Sequence, residues 1–134
     1  MLLRPPLVAT LAALSIAGSP FAVQAQPAAQ PSVTAIDLSN FKFMPSQLQL
    51  PAGVPVTLRL KNEASGGHNF SAPAFFAAAR IDPASAGSIR NGTIEVPSHS
   101  TVQVTVTPAA GQYPLRCSHF LHASFGMKGT IFVR

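Results

Sequence analysis

The chain has 134 residues, only 10% of them charged, and it contains no Trp. So low a charge density excludes an acidic solvating tail, a basic nucleic-acid arm and a coiled coil, each of which needs dense charge or heptads. The formal net charge of +5 is spread thinly, so nucleic-acid binding is not read from it and only a mild preference for acidic partners follows.

Residues 1–25 read as an export leader. Arg4 supplies the positive start, Leu7 to Ala17 the apolar core and Gly18-Ser19-Pro20 a helix break. Val23 and Ala25 stand at the −3 and −1 positions of a signal-peptidase site. The apolar core is far shorter than the roughly twenty residues needed to span a bilayer, so no stable membrane insertion is expected. There is no twin Arg and no Cys at the cleavage site, which points to the general secretory route and excludes a lipoprotein. The mature chain is expected to be soluble outside the cytoplasm, periplasmic in a bacterium. Residues 26–32 (QPAAQPS) form a flexible linker. Residues 33–134 are long enough for one domain and no more.

The domain reads as short strands separated by turn signals. Val33 to Leu38 alternates, with Val33, Ala35 and Asp37 sharing a face. Gln47 to Leu50 leads into a turn at Pro51-Ala52-Gly53. Val54 to Leu60 places Val54, Val56, Leu58 and Leu60 on one face at period two. Asn62 to Gly67 is a loop and His68 to Ser71 a strand. Pro73 to Ile81 can hold a short helix with Pro73 near its start, and Phe75 and Phe76 read as core. Pro83 to Gly92 is loop, Thr93 to Val96 strand, and Pro97 to Ser100 a turn in which His99 is solvated. Thr101 to Thr107 alternates strictly, with Val102, Val104 and Val106 facing in. Gln112 to Cys117 puts Tyr113, Leu115 and Cys117 on one face, and Thr130 to Arg134 ends the chain as a strand. Seven or eight short strands at this spacing predict an all-β sandwich with one short helix.

Exported domains use Cys in pairs, yet Cys117 is alone. A lone thiol in an oxidising compartment calls for an occupant, and a metal ion is one. His122 follows Cys117 by five residues, Met127 follows His122 by five, and His68 lies upstream in Gly66-Gly67-His68-Asn69. Two imidazoles, a thiolate and a thioether form a soft donor set that suits copper in both oxidation states, as in trigonal His₂Cys sites with a weak axial Met. His119, two residues after Cys117, is a rival to His122, which is favoured because its spacing to Met127 fits the motif. Core packing is the competing role for Met127.

These residues carry a resemblance to the cupredoxins, the plastocyanin and azurin superfamily. It covers roughly Val33 to Arg134 and includes Phe43-x-Pro45, His68-Asn69, Gly111-x-Tyr113-x-Leu115-x-Cys117 and Gly126-Met127-Lys128-Gly129. The resemblance implies a Greek-key β-sandwich with one type 1 copper at one end, His68, Cys117 and His122 as equatorial ligands and Met127 as axial ligand. It also implies that Asn69 and Ser118 tie two ligand loops together. Many relatives carry Pro-Gly before the second His, where this chain has Phe120-Leu121, and they lack an equivalent of His119.

The expected function is therefore single-electron transfer between redox partner proteins, by a monomer that is not an enzyme. The apolar loop residues Phe120, Leu121, Ala123 and Phe125 are expected to form a docking patch around His122. A periplasmic copper carrier serving copper-handling proteins, and an accessory module without redox work, are the rival readings. A Cys–His hydrolase ranks last, because Cys117 and His122 have no evident Asn or Asp orienter in the sequence.

Overall fold

The computed structural model describes residues 2–3, 18–39, 41–122 and 124–134. The predicted apolar core of the leader lies outside the described residues, so residues 18–31 are the main part of the amino-terminal segment that can be followed. They contain no helix or strand. Among the described residues no helix is long and apolar enough to cross a membrane.

Among the described residues, ten strands build two five-stranded sheets. The first sheet holds β1 (Ser32–Ser39), β2 (Lys42–Met44), β4 (Val56–Asn62), β6 (Arg80–Ile81) and β8 (Ser100–Thr107), in the order β2-β1-β4-β8-β6. The second holds β3 (Gln47–Leu50), β5 (His68–Ser71), β7 (Thr93–Val96), β9 (Gly111–Arg116) and β10 (Lys128–Val133), in the order β3-β10-β9-β5-β7. Most neighbours run antiparallel, but β1 lies parallel to β4 and β3 parallel to β10. The short strands β2 and β6 carry too little pattern to be read from sequence; each exists because a longer neighbour, β1 or β8, offers it a free edge.

The two sheets bury their facing residues against each other. Val56, Leu58 and Leu60 of β4 meet a core completed by Phe70, Ile94, Val104, Val106, Leu115 and Ile131. Period-two alternation produces this, since every second side chain points to the same face. The face that Val33, Ala35 and Asp37 share on β1 is the outward one. On β1 the buried residues are Ile36 and Leu38, whereas Val33 and Asp37 are exposed. Two large aliphatic side chains outweigh a face that contains a carboxylate. Val54 precedes β4 and is exposed as well.

The short helix α1 (Pro73–Ala78) starts with Pro at its first turn and buries Phe75 and Phe76. The segment read as loop after it contains a 3-10 helix at Pro83–Ser88, capped by the Asp82 side chain, which accepts from Ala84 N–H at 2.9 Å. Gly92 sits at φ +70°, and a Cβ there would overlap the backbone of Pro73. Only glycine fits both the left-handed turn and this close approach.

Candidate metal centre

One end of the sandwich gathers the chemistry. β5 delivers His68 at its first residue, and Cys117 follows directly on the last residue of β9. The chain then turns back to enter β10. Four backbone bonds shape that turn: His122 N–H to His119 O at 3.1 Å, Phe125 N–H to Leu121 O at 3.0 Å, Met127 N–H to His122 O at 3.0 Å and Cys117 N–H to Met127 O at 3.0 Å. The last of these closes the loop at its neck, so Cys117 and Met127 stand side by side on adjoining chain segments.

Within this frame His68, Cys117 and His122 bring their donor atoms within 4.8 Å of one another. The two Nδ1 atoms of His68 and His122 are 3.2 Å apart, and the His122 Nδ1 lies 3.4 Å from the Cys117 Sγ. Three electron-rich atoms converge at this point. Metal–nitrogen and metal–sulfur bonds of roughly 2.0–2.3 Å would place donors around one ion at about these separations. The donor set therefore fits a type 1 copper ion, soft enough for Cu(I) and nitrogenous enough for Cu(II).

Burial and hydrogen bonding prepare the donors. Cys117 is 1% exposed and His68 5% exposed. Desolvation, reinforced by the neighbouring His122 and His119, pushes the His68 imidazole below its ordinary pKa, so it stands neutral and ready to ligate. The backbone N–H of Asn69 points at the Cys117 Sγ at 3.5 Å. Met127 is fully buried at the loop's neck.

A second set of contacts locks the His68 strand to the Cys117 loop. The Asn69 Oδ1 accepts from Ser118 N–H at 2.8 Å, and its Nδ2 lies 2.7 Å from Ser118 Oγ and 2.8 Å from Glu95 Oε1. Glu95 stands directly across from Asn69 in the β5–β7 register. Its other oxygen takes His119 Nε2 at 2.9 Å. Partial burial alone would raise the Glu95 carboxyl, but the hydrogen bonds from Asn69 and His119 outweigh it and hold the group below its usual range. His119 is thereby drawn towards Glu95 and stands outside the three-donor cluster. Truncating Asn69 to Ala should lower copper affinity roughly 10–100-fold while leaving the donors in place, which competition with a calibrated chelator would measure.

Further back, Asn62 holds the loop that feeds His68. It is 1% exposed, donates to Gly66 O at 2.9 Å and Val96 O at 3.0 Å, and accepts from Ala64 N–H at 2.9 Å. Replacing it with Leu strands two carbonyls and an N–H, and should cost about 2–4 kcal/mol in a urea titration.

The loop's apolar residues face outwards. Phe120 is 87%, Phe125 66% and Leu121 48% exposed; Ala123, assigned to the same patch, lies outside the described residues. Leu121 occupies φ +62°, a conformation natural for Gly and costly for a branched side chain by about 1 kcal/mol. The Leu121→Gly variant should therefore melt at or above the parent temperature even though it loses apolar surface. His99 is exposed, and Phe75 and Phe76 are core.

Two site residues have no signature in the sequence. Phe41 packs edge-on against the His122 ring with centroids 4.8 Å apart and also meets Phe125 at 5.6 Å. Glu95 is one polar residue on a short strand, and only the strand register gives it a partner.

Comparison with known proteins agrees with this architecture. The chain is similar to auracyanin B, with 22% identity over 84% of this chain and 93% of that one and a TM-score of 0.57. A reduced auracyanin from the photosynthetic bacterium Roseiflexus castenholzii gives 19% identity, 79% and 98% coverage and a TM-score of 0.58. Auracyanin A, a "blue" copper protein from the green thermophilic photosynthetic bacterium Chloroflexus aurantiacus, gives 26% identity, 78% and 100% coverage and a TM-score of 0.56. No curated protein sequence matches the chain. The family model for the cupredoxin-like domain matches residues 7–133, a span that begins inside the segment read as leader. With all ten described strands and all three converging donors inside that span, the chain belongs to the cupredoxin-like domain family, and its His68, Cys117 and His122 cluster fits a type 1 copper site.

Proposed function

We propose that the chain is an exported blue copper protein that passes single electrons between redox partner proteins. His68, Cys117 and His122 would hold the metal, with Met127 as a fourth, weaker ligand. The observation that carries this reading is the convergence of His68, Cys117 and His122 at the end of the sandwich, where the loop around His122 exposes Phe120, Leu121 and Phe125. When bound, copper supplies one reversible electron step between Cu(II) and Cu(I).

The protein's own groups do the rest. The Asn69 clasp and the closed loop neck hold the donors nearly fixed, so little rearrangement accompanies a change of charge. The exposed apolar side chains let a partner approach His122 closely and exclude water there. Export follows from residues 1–25, whose charge, apolar core and small −3 and −1 residues form a leader; the mature domain would begin after the linker and act as a monomer in the periplasm.

The test is to load the chain with one equivalent of Cu(II), remove the excess and record visible absorption and electron paramagnetic resonance. An intense thiolate-to-copper band with narrow copper hyperfine splitting is expected; a pale solution that retains no copper would overturn the reading. Reversible voltammetry distinguishes electron carriage from copper carriage, for which metal would pass to an apo acceptor without redox change.

Proton competition gives a further expectation. The lowered pKa of His68 means that the unfolded chain binds a proton there more readily than the folded one. Stability of the metal-free chain should therefore fall as pH drops below the ordinary imidazole value of 6.5. Copper affinity should fall over the same range, because protons compete for the imidazoles and the thiolate. Thermal melts between neutral and mildly acidic pH would show both, and a His68→Gln variant should flatten the first.

A further inference from the structure

β9 and β10 pair antiparallel with Arg116 directly opposite Lys128. Directly opposed residues project from the same face of a sheet, and like charges in that position are destabilising. Both side chains are exposed. Among the described residues neither forms an ion pair, the only two being Lys61–Glu63 and His119–Glu95. Lys128 also lines a surface groove of about 440 Å³ together with Lys42, Phe41, Met44, Phe125 and Ser46. Lys42 is exposed and unpaired among the described residues as well.

The acids of the chain lie elsewhere or are engaged. Glu63 pairs with Lys61, Glu95 holds Asn69 and His119, and Asp82 caps the 3-10 helix. Asp37, the acid nearest in register, faces Met44 on one side and Lys61 on the other. Three cations therefore stand uncompensated along one flank of the apolar rim, where Phe41 (41%), Met44 (55%) and Phe125 (66%) are exposed. Arg116 and Lys128 are juxtaposed at a cost to the sheet, and their charge is complementary only to something outside the molecule.

We propose that Lys42, Arg116 and Lys128 form a recognition strip for a protein partner whose contact surface is acidic, the carboxylates meeting the strip while an apolar centre meets Phe41, Met44 and Phe125. This rests on the electron-carrier reading for the partner's redox role, but the surface itself is testable without electron transfer. Such a strip raises encounter rates and makes them salt-sensitive.

The test uses the copper-loaded chain reduced to Cu(I). Hexacyanochromate(III), a redox-inert paramagnetic anion, should broaden the backbone amide signals of Lys42, Arg116 and Lys128 at low ionic strength, and the triple variant K42E/R116E/K128E should lose that broadening. Broadening centred instead on Arg80 or Arg90, or none, would overturn the proposal. Electron exchange with hexacyanoferrate(III), which takes one electron from Cu(I) to give Cu(II) and hexacyanoferrate(II), should slow roughly tenfold in the triple variant at low salt. A neutral variant, K42Q/R116Q/K128Q, should fall between the two, and both should keep the parent's thiolate-to-copper band.

The partner class is tested with an acidic and a basic cytochrome. Amide shifts along the strip should follow addition of the acidic one alone, and binding of the basic one instead would overturn the assignment. Strip-dependent binding to phosphatidylglycerol vesicles without binding to the acidic cytochrome would also overturn it, in favour of a membrane surface. Absence of electron exchange with every redox probe, with the anion map intact, would remove the carrier reading and leave the acidic-surface assignment standing.

Discussion

Replacing Cys117 with Ser should abolish the intense visible band of the copper-loaded chain and lower its copper affinity by more than ~100-fold. The reasoning starts from the sulfur. A hydroxyl does not ionise at neutral pH, so the variant offers a weak neutral oxygen where the parent offers a thiolate. Changes in the groups that merely support a ligand cost roughly 10–100-fold in affinity, and loss of a direct anionic donor should exceed that. The fold should survive, because Cys117 contributes little volume and its N–H to Met127 O bond is backbone. Absorption spectroscopy, chelator competition and a thermal melt would separate the effects. A variant that kept the band would remove Cys117 from the ligand set. The same experiment on Met127→Leu should keep a visible band with a shifted potential, since an axial thioether is a weak ligand that tunes rather than holds.

The largest stability effect should come from Phe70→Ala. Phe70 is fully buried and lies edge-on between Phe43 and Phe76, both with ring centroids 6.0 Å away. Phe75 extends the cluster from Phe76 to Tyr113. Removing the ring leaves a cavity at the junction of both sheets and α1, at a cost of about 3–5 kcal/mol. For a domain of this size that corresponds to a drop in melting temperature of roughly 15–30 °C. The effect should reach the metal centre, because Phe70 and His68 alternate onto the same face of β5. A circular-dichroism melt would give the stability loss, and chelator competition at low temperature would give the loosening of His68. Phe70→Leu should retain more than half of the stability and nearly all of the copper affinity.

Much of this architecture was legible in the residues. Thr101 to Thr107 alternates so strictly that its inward face could be read directly, and Val104 and Val106 are buried as that pattern requires. Val56, Leu58 and Leu60 behave likewise. Pro73 marks the start of α1 because its fixed φ suits a first helical turn. The candidate donors were legible for a chemical reason: a single Cys followed at short spacing by His and Met forms a soft donor set that suits a metal ion.

Other features depended on which segments lie beside which. The face of β1 was ambiguous because Val33 and Ala35 alternate with Ile36 and Leu38; only the parallel pairing with β4 directs Ile36 and Leu38 inwards. His119 and His122 are both imidazoles near Cys117, and the sequence alone offered only spacing to choose between them. The structure places Glu95 across from Asn69, and that carboxylate draws His119 out of the cluster. Phe41 reaches His122 from the other sheet, a contact separated by 81 positions in the chain. Arg116 and Lys128 are twelve positions apart in the chain and become a charge pair only when β9 and β10 align. Local pattern and donor chemistry are written residue by residue, so the sequence by itself determined the longer strands, the short helix and the soft donor set. Register, long-range pairing and surface charge are properties of segments brought together by the core, and these the tertiary structure alone decided.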